Sequence, residues 1–144
     1  MILGISLLGV PMLLQNNSEA NILHQWRCLY TLGKSTAPPF ALVSAVATAC
    51  TAYLHYHPQA TYRTWTFAAS ALATMSIAPF TVLAMEPTNR LLHQRENAAR
   101  VKDSKDEFAP TTDETKSLIK RWRNLNAIRG LLPLIGSLLA FEAL

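Results

Sequence analysis

Charged residues are missing from four long stretches of this 144-residue sequence, and no other feature restricts the fold as strongly. The stretches cover residues 1–18, 35–54, 64–85 and 130–141. An α-helix needs about 20 mainly apolar residues to cross the roughly 30 Å hydrocarbon core of a bilayer. The second and third stretches have that length, so the sequence predicts at least two membrane-spanning helices.

The two terminal stretches are shorter. The last one becomes long enough if its helix runs from about Leu125 to Leu144, which places Arg129 where its side chain can extend to the lipid headgroups. The first is apolar over residues 1–14 and lacks the basic segment that begins a secretory signal peptide. We therefore expect an integral, multi-pass membrane protein.

The predicted fold class is all-α, a four-helix transmembrane bundle that forms a single membrane domain over residues 1–144. The expected spans are about 1–14, 36–55, 65–86 and 125–144. Two alternatives stay open at this point, namely three spans with a first segment on the membrane surface, and a soluble helical bundle.

Basic residues lie almost entirely on one side of such a bundle. Four crossings place segments 15–34 and 86–124 on the same side, and these hold eleven Lys and Arg residues, whereas 55–63 holds one. Because positively charged loops stay in the cytosol, both segments are predicted to be cytosolic and both termini lumenal or external. The longer segment carries seven acidic against nine basic residues, which indicates a mixed solvated surface and no nucleic-acid partner.

Both cytosolic segments have a predicted structure. Residues 19–32 form an amphipathic helix between spans 1 and 2 that ends near Gly33. Pro38 and Pro39 then open the second span, since proline is best tolerated at the start of a helix. Between helices 3 and 4 we expect a long polar loop over residues 86–124.

Polar and aromatic residues from three parts of the chain converge at the cytosolic end of this bundle. An Asn or Arg below the headgroups is unfavourable unless it has a partner or faces a wet cavity. Asn126 and Arg129 are therefore functional candidates, although helix capping and contact with lipid phosphate would explain them equally well. His24 is our first choice for a general base. The candidate catalytic residues are His24, Asn89, Asn126 and Arg129, and the candidate substrate-binding residues are Trp26, Tyr30, Thr81 and Trp122.

Motifs that hold phosphates or metals are missing from the sequence. It contains no Gly-rich phosphate loop, no C-x-x-C and no H-E-x-x-H. His24 and His93 could approach each other across the bundle, but two histidines without a carboxylate at fixed spacing are a weak metal signal. The sequence therefore predicts no metal site and no tightly held cofactor.

The same residues resemble the anthrone oxygenase-like family of small integral membrane proteins. The resemblance covers nearly the whole chain in order and spacing, and rests on three groups of short pieces: Gln25-Trp26-Arg27 with Tyr30, Gly33 and Pro38-Pro39; Pro79-Phe80-Thr81 with Met85 and Pro87-Thr88-Asn89; and Trp122, Leu125-Asn126, Arg129 and Pro133-Leu134. It implies four transmembrane helices and the conversion of an anthrone to an anthraquinone, with molecular oxygen as co-substrate and without metal or flavin.

The resemblance also implies a substrate, partners and a location. The substrate would be an anthrone or related apolar polycyclic phenol of polyketide secondary metabolism, the partners the lipid bilayer and pathway enzymes, and the location the endoplasmic reticulum. Because family membership alone does not fix the chemistry, two alternatives remain. One is a membrane-bound cyclase, isomerase or dehydratase acting on another polyketide or terpenoid, and the other is a non-catalytic membrane scaffold.

Overall fold

All elements of the structure, a computed structural model that describes residues 2–16, 18–54, 62–103 and 112–143, are helices. The predicted all-α class is therefore confirmed for these residues. Three of the described helices are long and apolar enough to cross a membrane: α2 (Glu19–Leu54), α3 (Tyr62–Lys102) and α4 (Asp113–Glu142). A fourth, α1 (Ile2–Leu13), is apolar but shorter.

Helix α1 occupies the first predicted span, but its described part is shorter than the hydrocarbon core of a bilayer. A helix of this length extends about 18 Å at 1.5 Å per residue, against roughly 30 Å of hydrocarbon. It contains a π-helical turn, Ile5–Gly9, between the α-helical segments Ile2–Gly4 and Val10–Leu13. Pro11 lies in the first turn of the last segment, where its missing N–H group is tolerated.

Helix α2 is one continuous helix of 36 residues, so the prediction that a separate amphipathic helix ends near Gly33 is wrong. Pro38 and Pro39 lie inside it. Just before them, the hydroxyl groups of Ser35 and Thr36 donate to the carbonyl oxygen of Leu32 at 3.1 and 2.6 Å. Prolines are tolerated within membrane helices where neighbouring helices, side chains, water or small changes of the backbone compensate for the lost hydrogen bonds.

Helix α3 continues well beyond the third predicted span. It consists of Tyr62–Met75, Ile77–Phe80, a π-helical turn at Thr81–Met85, and Glu86–Asp103. The predicted long polar loop is therefore wrong over its described part, since residues 86–103 and 113–124 are helical. Pro87 does not end the helix because it falls in the first turn of the last segment.

The polar parts of the long helices pack together at one end of the bundle. Glu96 is 1% exposed and accepts hydrogen bonds from Arg27, at 2.6 Å, and from Arg100. Arg95 pairs with Glu114 at 2.5 Å, which joins α3 to α4. Glu96 thus departs from the solvated surface predicted for this segment. The hydrophobic core lies at the same end and comprises Ile5, Val10, Leu13, Ile22, Leu23, Trp26, Met85, Leu92, Ala99, Ile119 and Trp122.

The apolar parts of the helices contact each other through small residues and otherwise expose large side chains. Ser70 donates to the carbonyl oxygen of Gly136 at 2.6 Å, and a Cβ atom on Gly136 would lie 2.6 Å from the hydroxyl oxygen of Thr74. Close approach at small residues is typical of helix pairs in lipid. Leu83 and Phe141 are each 77% exposed, as expected for side chains that face lipid rather than water.

Candidate active site

A cavity of about 460 Å³ lies between the four helices, where their apolar and polar parts meet. Most of its wall is aliphatic, including Leu29, Ala41 and Val82. Volumes of this order hold small organic ligands. The polar and aromatic side chains that line it are Tyr30, Lys34, Thr74, Thr81, Glu86, Asn89, Trp122, Asn126 and Arg129.

Arg129 is held in the cavity wall by a hydrogen-bond chain that joins α4 to α1. Its Nη2 atom donates to Oδ1 of Asn126 at 2.6 Å. The Nδ2 atom of Asn126 in turn donates to the hydroxyl oxygen of Ser6 at 2.8 Å and to the carbonyl oxygen of Ile2 at 3.3 Å. Asn126 is fully buried, so its amide group bonds only to other protein groups. These hydrogen bonds fix the position of the Arg129 guanidinium group.

Three cavity-lining residues carry buried polar atoms that have no hydrogen-bond partner within the described residues. They are Oδ1 of Asn89, Nε1 of Trp122 and Nε of Arg129. Buried polar atoms in proteins are almost always paired, and an unpaired one calls for an explanation. One acceptor and two donors on residues that line a largely apolar cavity suit a flat apolar molecule that carries a few oxygen atoms.

Four aromatic side chains form a cluster behind this wall. Trp26 stacks on Tyr30 with ring centroids 5.4 Å apart and meets Trp122 edge-on at 6.1 Å. His93 packs edge-on against both Trp26 and Tyr30, at 5.0 and 4.8 Å. The cluster therefore holds Tyr30 and Trp122, the two members that line the cavity, in fixed orientations.

A family model described as anthrone oxygenase matches residues 26–139. The chain belongs to the anthrone oxygenase family. This confirms the resemblance seen in the sequence. The matched region includes every cavity-lining residue except Ile5, so the cavity belongs to the part of the chain shared with the family.

Curated relatives of this anthrone oxygenase family member cover almost its whole length. It is 32% identical to anthrone oxygenase AgnL2 of Paecilomyces divaricatus over 95% of this chain and 82% of the relative. It is 35% identical to anthrone oxygenase encC of Aspergillus fumigatus, over 96% and 81%. A noranthrone monooxygenase of Aspergillus flavus is 28% identical over 95% of this chain and 63% of the relative. No solved structure matches the chain.

The structure brings six of the eight predicted site residues of this family member to the cavity. Asn89, Asn126 and Arg129 meet there with Tyr30, Thr81 and Trp122. The Thr81 hydroxyl donates to the carbonyl oxygen of Ile77 at 2.7 Å, which leaves its lone pairs available to a ligand.

The other two predicted residues, His24 and Trp26, do not line the cavity. His24 is exposed because two residues along a helix turn the side chain about 200° away from the face that carries Trp26. The prediction that His24 joins the other candidates is therefore wrong. Trp26 is fully buried one turn before Tyr30, so it supports the wall instead of touching the cavity.

Two cavity-lining residues, Lys34 and Glu86, were not among the predicted site residues. Each directly adjoins a charge-free stretch of the sequence. Lys34 lies 5.9 Å from the ring centroid of Tyr30, and Glu86 lies one turn before Asn89 in α3. Charged residues at such boundaries usually face water, so their position alone does not indicate a functional site. Their helical spacing from Tyr30 and Asn89 was the signal that could have placed them at the cavity.

No group of three or more His, Cys, Asp and Glu side chains in the described parts of this family member lies close enough together to hold a metal ion. The cavity wall contributes one carboxylate among the described residues, that of Glu86.

Proposed function

We propose that this chain is a membrane-bound monooxygenase that converts an anthrone, or a related polycyclic phenol, to the corresponding quinone in polyketide secondary metabolism. Relatives that match nearly its full length are named anthrone oxygenases. The observation that carries the proposal is the mainly apolar cavity of about 460 Å³ with unpaired polar atoms on three of its residues. A tricyclic ketone with few oxygen atoms fits both its size and its polarity.

The reaction needs no external reductant. The methylene carbon of the anthrone loses two protons and gains one oxygen atom as a carbonyl group. The second atom of O₂ leaves as water, so the four electrons that reduce O₂ all come from the substrate. The first step, loss of one methylene proton, gives an electron-rich enolate that reacts with O₂ directly. We therefore propose that the chain works without metal or flavin, with O₂ as co-substrate.

Arg129 stabilises the enolate in this proposal. The negative charge develops on the ketone oxygen, and a fixed guanidinium donor beside it favours the enolate over the neutral ketone. Asn126 keeps the guanidinium in place through the 2.6 Å hydrogen bond. Its own donors are used by α1, so Asn126 is a positioning residue and does not contact the substrate oxygen.

Trp122 and Asn89 bind the rest of the substrate. The indole N–H of Trp122 is a second donor for a substrate oxygen, and Oδ1 of Asn89 accepts a hydrogen bond from a ring hydroxyl group. Tyr30 and the aliphatic wall contact the flat rings. The rings themselves fill the largely apolar part of the cavity and displace water from it, which slows reprotonation of the enolate.

We further propose that α2, α3 and α4 cross the bilayer, with α1 as the fourth and shorter member of the bundle. Ile2 contacts Asn126, whereas Glu19, just after α1, bonds to Thr115 near the start of α4 at 2.5 Å. Helix α1 therefore runs antiparallel to α4, which supports termini on the same side. The basic segments favour a cytosolic location for the polar end and lumenal termini, in the endoplasmic reticulum. An apolar substrate would then reach the cavity from the membrane.

Oxygen labelling tests the function. Membranes that contain the protein are supplied with emodin anthrone and ¹⁸O₂, and the quinone and water are analysed by mass spectrometry. Because anthrones also react slowly with air, membranes without the protein give the background. We expect protein-dependent quinone with one labelled oxygen atom per molecule. A product isomer formed without O₂ would favour a cyclase or isomerase instead, and no protein-dependent product would favour a scaffold.

A further inference from the structure

The proposed oxidation requires a base, and the cavity restricts which group can serve. Four ionisable side chains among the described residues line it: Tyr30, Lys34, Glu86 and Arg129. Protonated lysine and arginine have donors but no free lone pair, and a tyrosine hydroxyl must first lose its own proton. A carboxylate is an acceptor only. Glu86 is thus the group whose chemistry suits proton removal.

Glu86 lies where a substrate in the cavity can reach it. It follows directly after the π-helical turn Thr81–Met85, and π-helical turns often occur at functional sites because they redirect side chains. Its side chain is 43% exposed, and among the described residues it forms an ion pair with Arg90, whose Nε atom lies 3.6 Å from Oε1. That separation exceeds a hydrogen bond, so the carboxylate is available both to a substrate and to water.

The polar groups of the cavity wall then divide into two roles. Glu86 and Asn89 belong to α3, whereas Arg129 and Trp122 belong to α4. Proton abstraction beside a ketone needs a base near the C–H bond and a donor near the carbonyl oxygen. A substrate lying between the two helices would meet the base from one wall and the donors from the other.

We propose that the Glu86 carboxylate is the general base that removes the methylene protons of the substrate; this assignment rests on the proposed oxygenase function. Glu86 takes one proton, and the enolate carbon forms a bond to O₂. The protonated carboxyl returns its proton to the peroxide anion, giving a hydroperoxide. Glu86 then takes the remaining proton from that carbon as the C=O bond forms and the O–O bond breaks. Hydroxide leaves and takes this proton to become water.

Another carboxylate of the same helix shows the contrast. Glu96 is buried, contacts Arg27 and Arg100, and does not line the cavity. Its oxygen atoms are engaged by guanidinium groups, so it stabilises the polar end of the bundle. Glu114 is 75% exposed in its pair with Arg95 and lies outside the cavity lining, which makes Glu114→Gln a suitable control.

Deuterium exchange without oxygen isolates the proposed step. Wild type, Glu86→Gln and Glu114→Gln are incubated with emodin anthrone in D₂O under anaerobic conditions, and methylene deuterium is measured by mass spectrometry above the protein-free rate. Oxidation is then measured in air. We expect Glu86→Gln to lower both rates about 10²–10⁴-fold, the usual contribution of a general base. Glu114→Gln should match wild type.

Chemical rescue keeps the test informative if the Gln variant is unstable. The Glu86→Ala variant leaves space for a small carboxylate, so added formate should restore exchange and oxidation in a concentration-dependent manner, whereas chloride should not. Rescue with formate supports the assignment, and its absence in a folded Glu86→Ala protein would overturn it.

The possible failures are distinguishable. If wild type oxidises the anthrone and Glu86→Gln keeps both rates within threefold, the base assignment is overturned and the oxygenase function stands. If Glu86→Gln loses oxidation but keeps exchange, Glu86 is not the base for the first proton. If wild type neither exchanges nor oxidises emodin anthrone, the proposed function fails, and the base assignment fails with it.

Discussion

Replacement of Arg129 by methionine tests the electrostatic part of the mechanism most directly. Methionine is apolar and matches the aliphatic part of the arginine side chain, so the Arg129→Met variant removes the charge and the donors but keeps the packing of that part. In the described structure Nη2 is engaged with Asn126 and Nε has no partner. The substitution therefore removes about one charged hydrogen bond to the developing oxyanion.

The size of the effect follows from that single bond. Loss of one donor at an oxyanion site lowers kcat about 10²–10³-fold, or about 2.7–4 kcal/mol. The neutral ketone of the ground state is a weaker acceptor than the enolate, so KM should change much less than kcat. We expect kcat to fall by this factor and KM to stay within about threefold, the modest change expected when ground-state binding is largely retained.

Initial rates of quinone formation in membranes measure this, after subtraction of the protein-free rate and normalisation to the amount of protein. Arg121→Met is the matched control, because Arg121 is exposed on the same helix and does not line the cavity. If Arg129→Met retains kcat within fivefold of the control, the guanidinium does not stabilise the transition state and the assignment of the cavity wall is refuted.

Three further variants test the substrate contacts and the packing. Asn89→Leu should raise KM for a hydroxylated anthrone about tenfold, which is the effect of losing one neutral hydrogen bond. KM for unsubstituted anthrone should not change. An equal rise in KM for both substrates would contradict a contact between Asn89 and the ring hydroxyl group. Gly136→Ala should destabilise the protein by about 1–3 kcal/mol, because the new Cβ atom overpacks the contact between α3 and α4, and it should lower the midpoint of thermal unfolding in detergent. Gly4→Ala is the control, because no heavy atom lies within 4 Å of its new Cβ atom. We expect Gly4→Ala not to lower the midpoint. Arg27→Met should destabilise the protein by about 1–3 kcal/mol because it removes one partner of the buried Glu96 carboxylate. Adding Glu96→Leu to this variant should recover part of the lost stability. If the two substitutions instead have simply additive effects on the free energy of unfolding, Arg27 and Glu96 are not coupled.

The charge distribution predicted the long helices because hydrocarbon excludes charge whatever the rest of the fold does. The windows at 35–54, 64–85 and 130–141 all lie within helices long enough to span a membrane. Helix ends were harder to predict, because Pro38 and Pro87 resemble breakers in isolation. In the structure Pro38 lies inside the continuous helix α2, and Pro87 lies in the first turn of its segment, where proline is tolerated.

The candidate site was predictable where polar residues had no water to face. Asn126 and Arg129 stood out for that reason, and both line the cavity. The prediction for His24 depended on its side-chain chemistry alone. The position of His24 on the helix turns its side chain away from the face that carries Trp26. Glu86 could not be singled out from the sequence, because carboxylates are common at the ends of membrane spans. Only the packing of α3 against its neighbours brings Glu86 to the cavity.

The contact between Ser6 and Asn126 makes the short first helix one of the elements that align the proposed site. Loss of α1 would leave the contacts among the three long helices in place, although Ile5, Val10 and Leu13 would be missing from the hydrophobic core. Yet Asn126 would lose both partners of its amide nitrogen and with them the constraint on Arg129. A variant that lacks α1 should therefore lose more activity than the length of this helix suggests, because the helix contributes both to the packing of the polar end and to the placement of the guanidinium group.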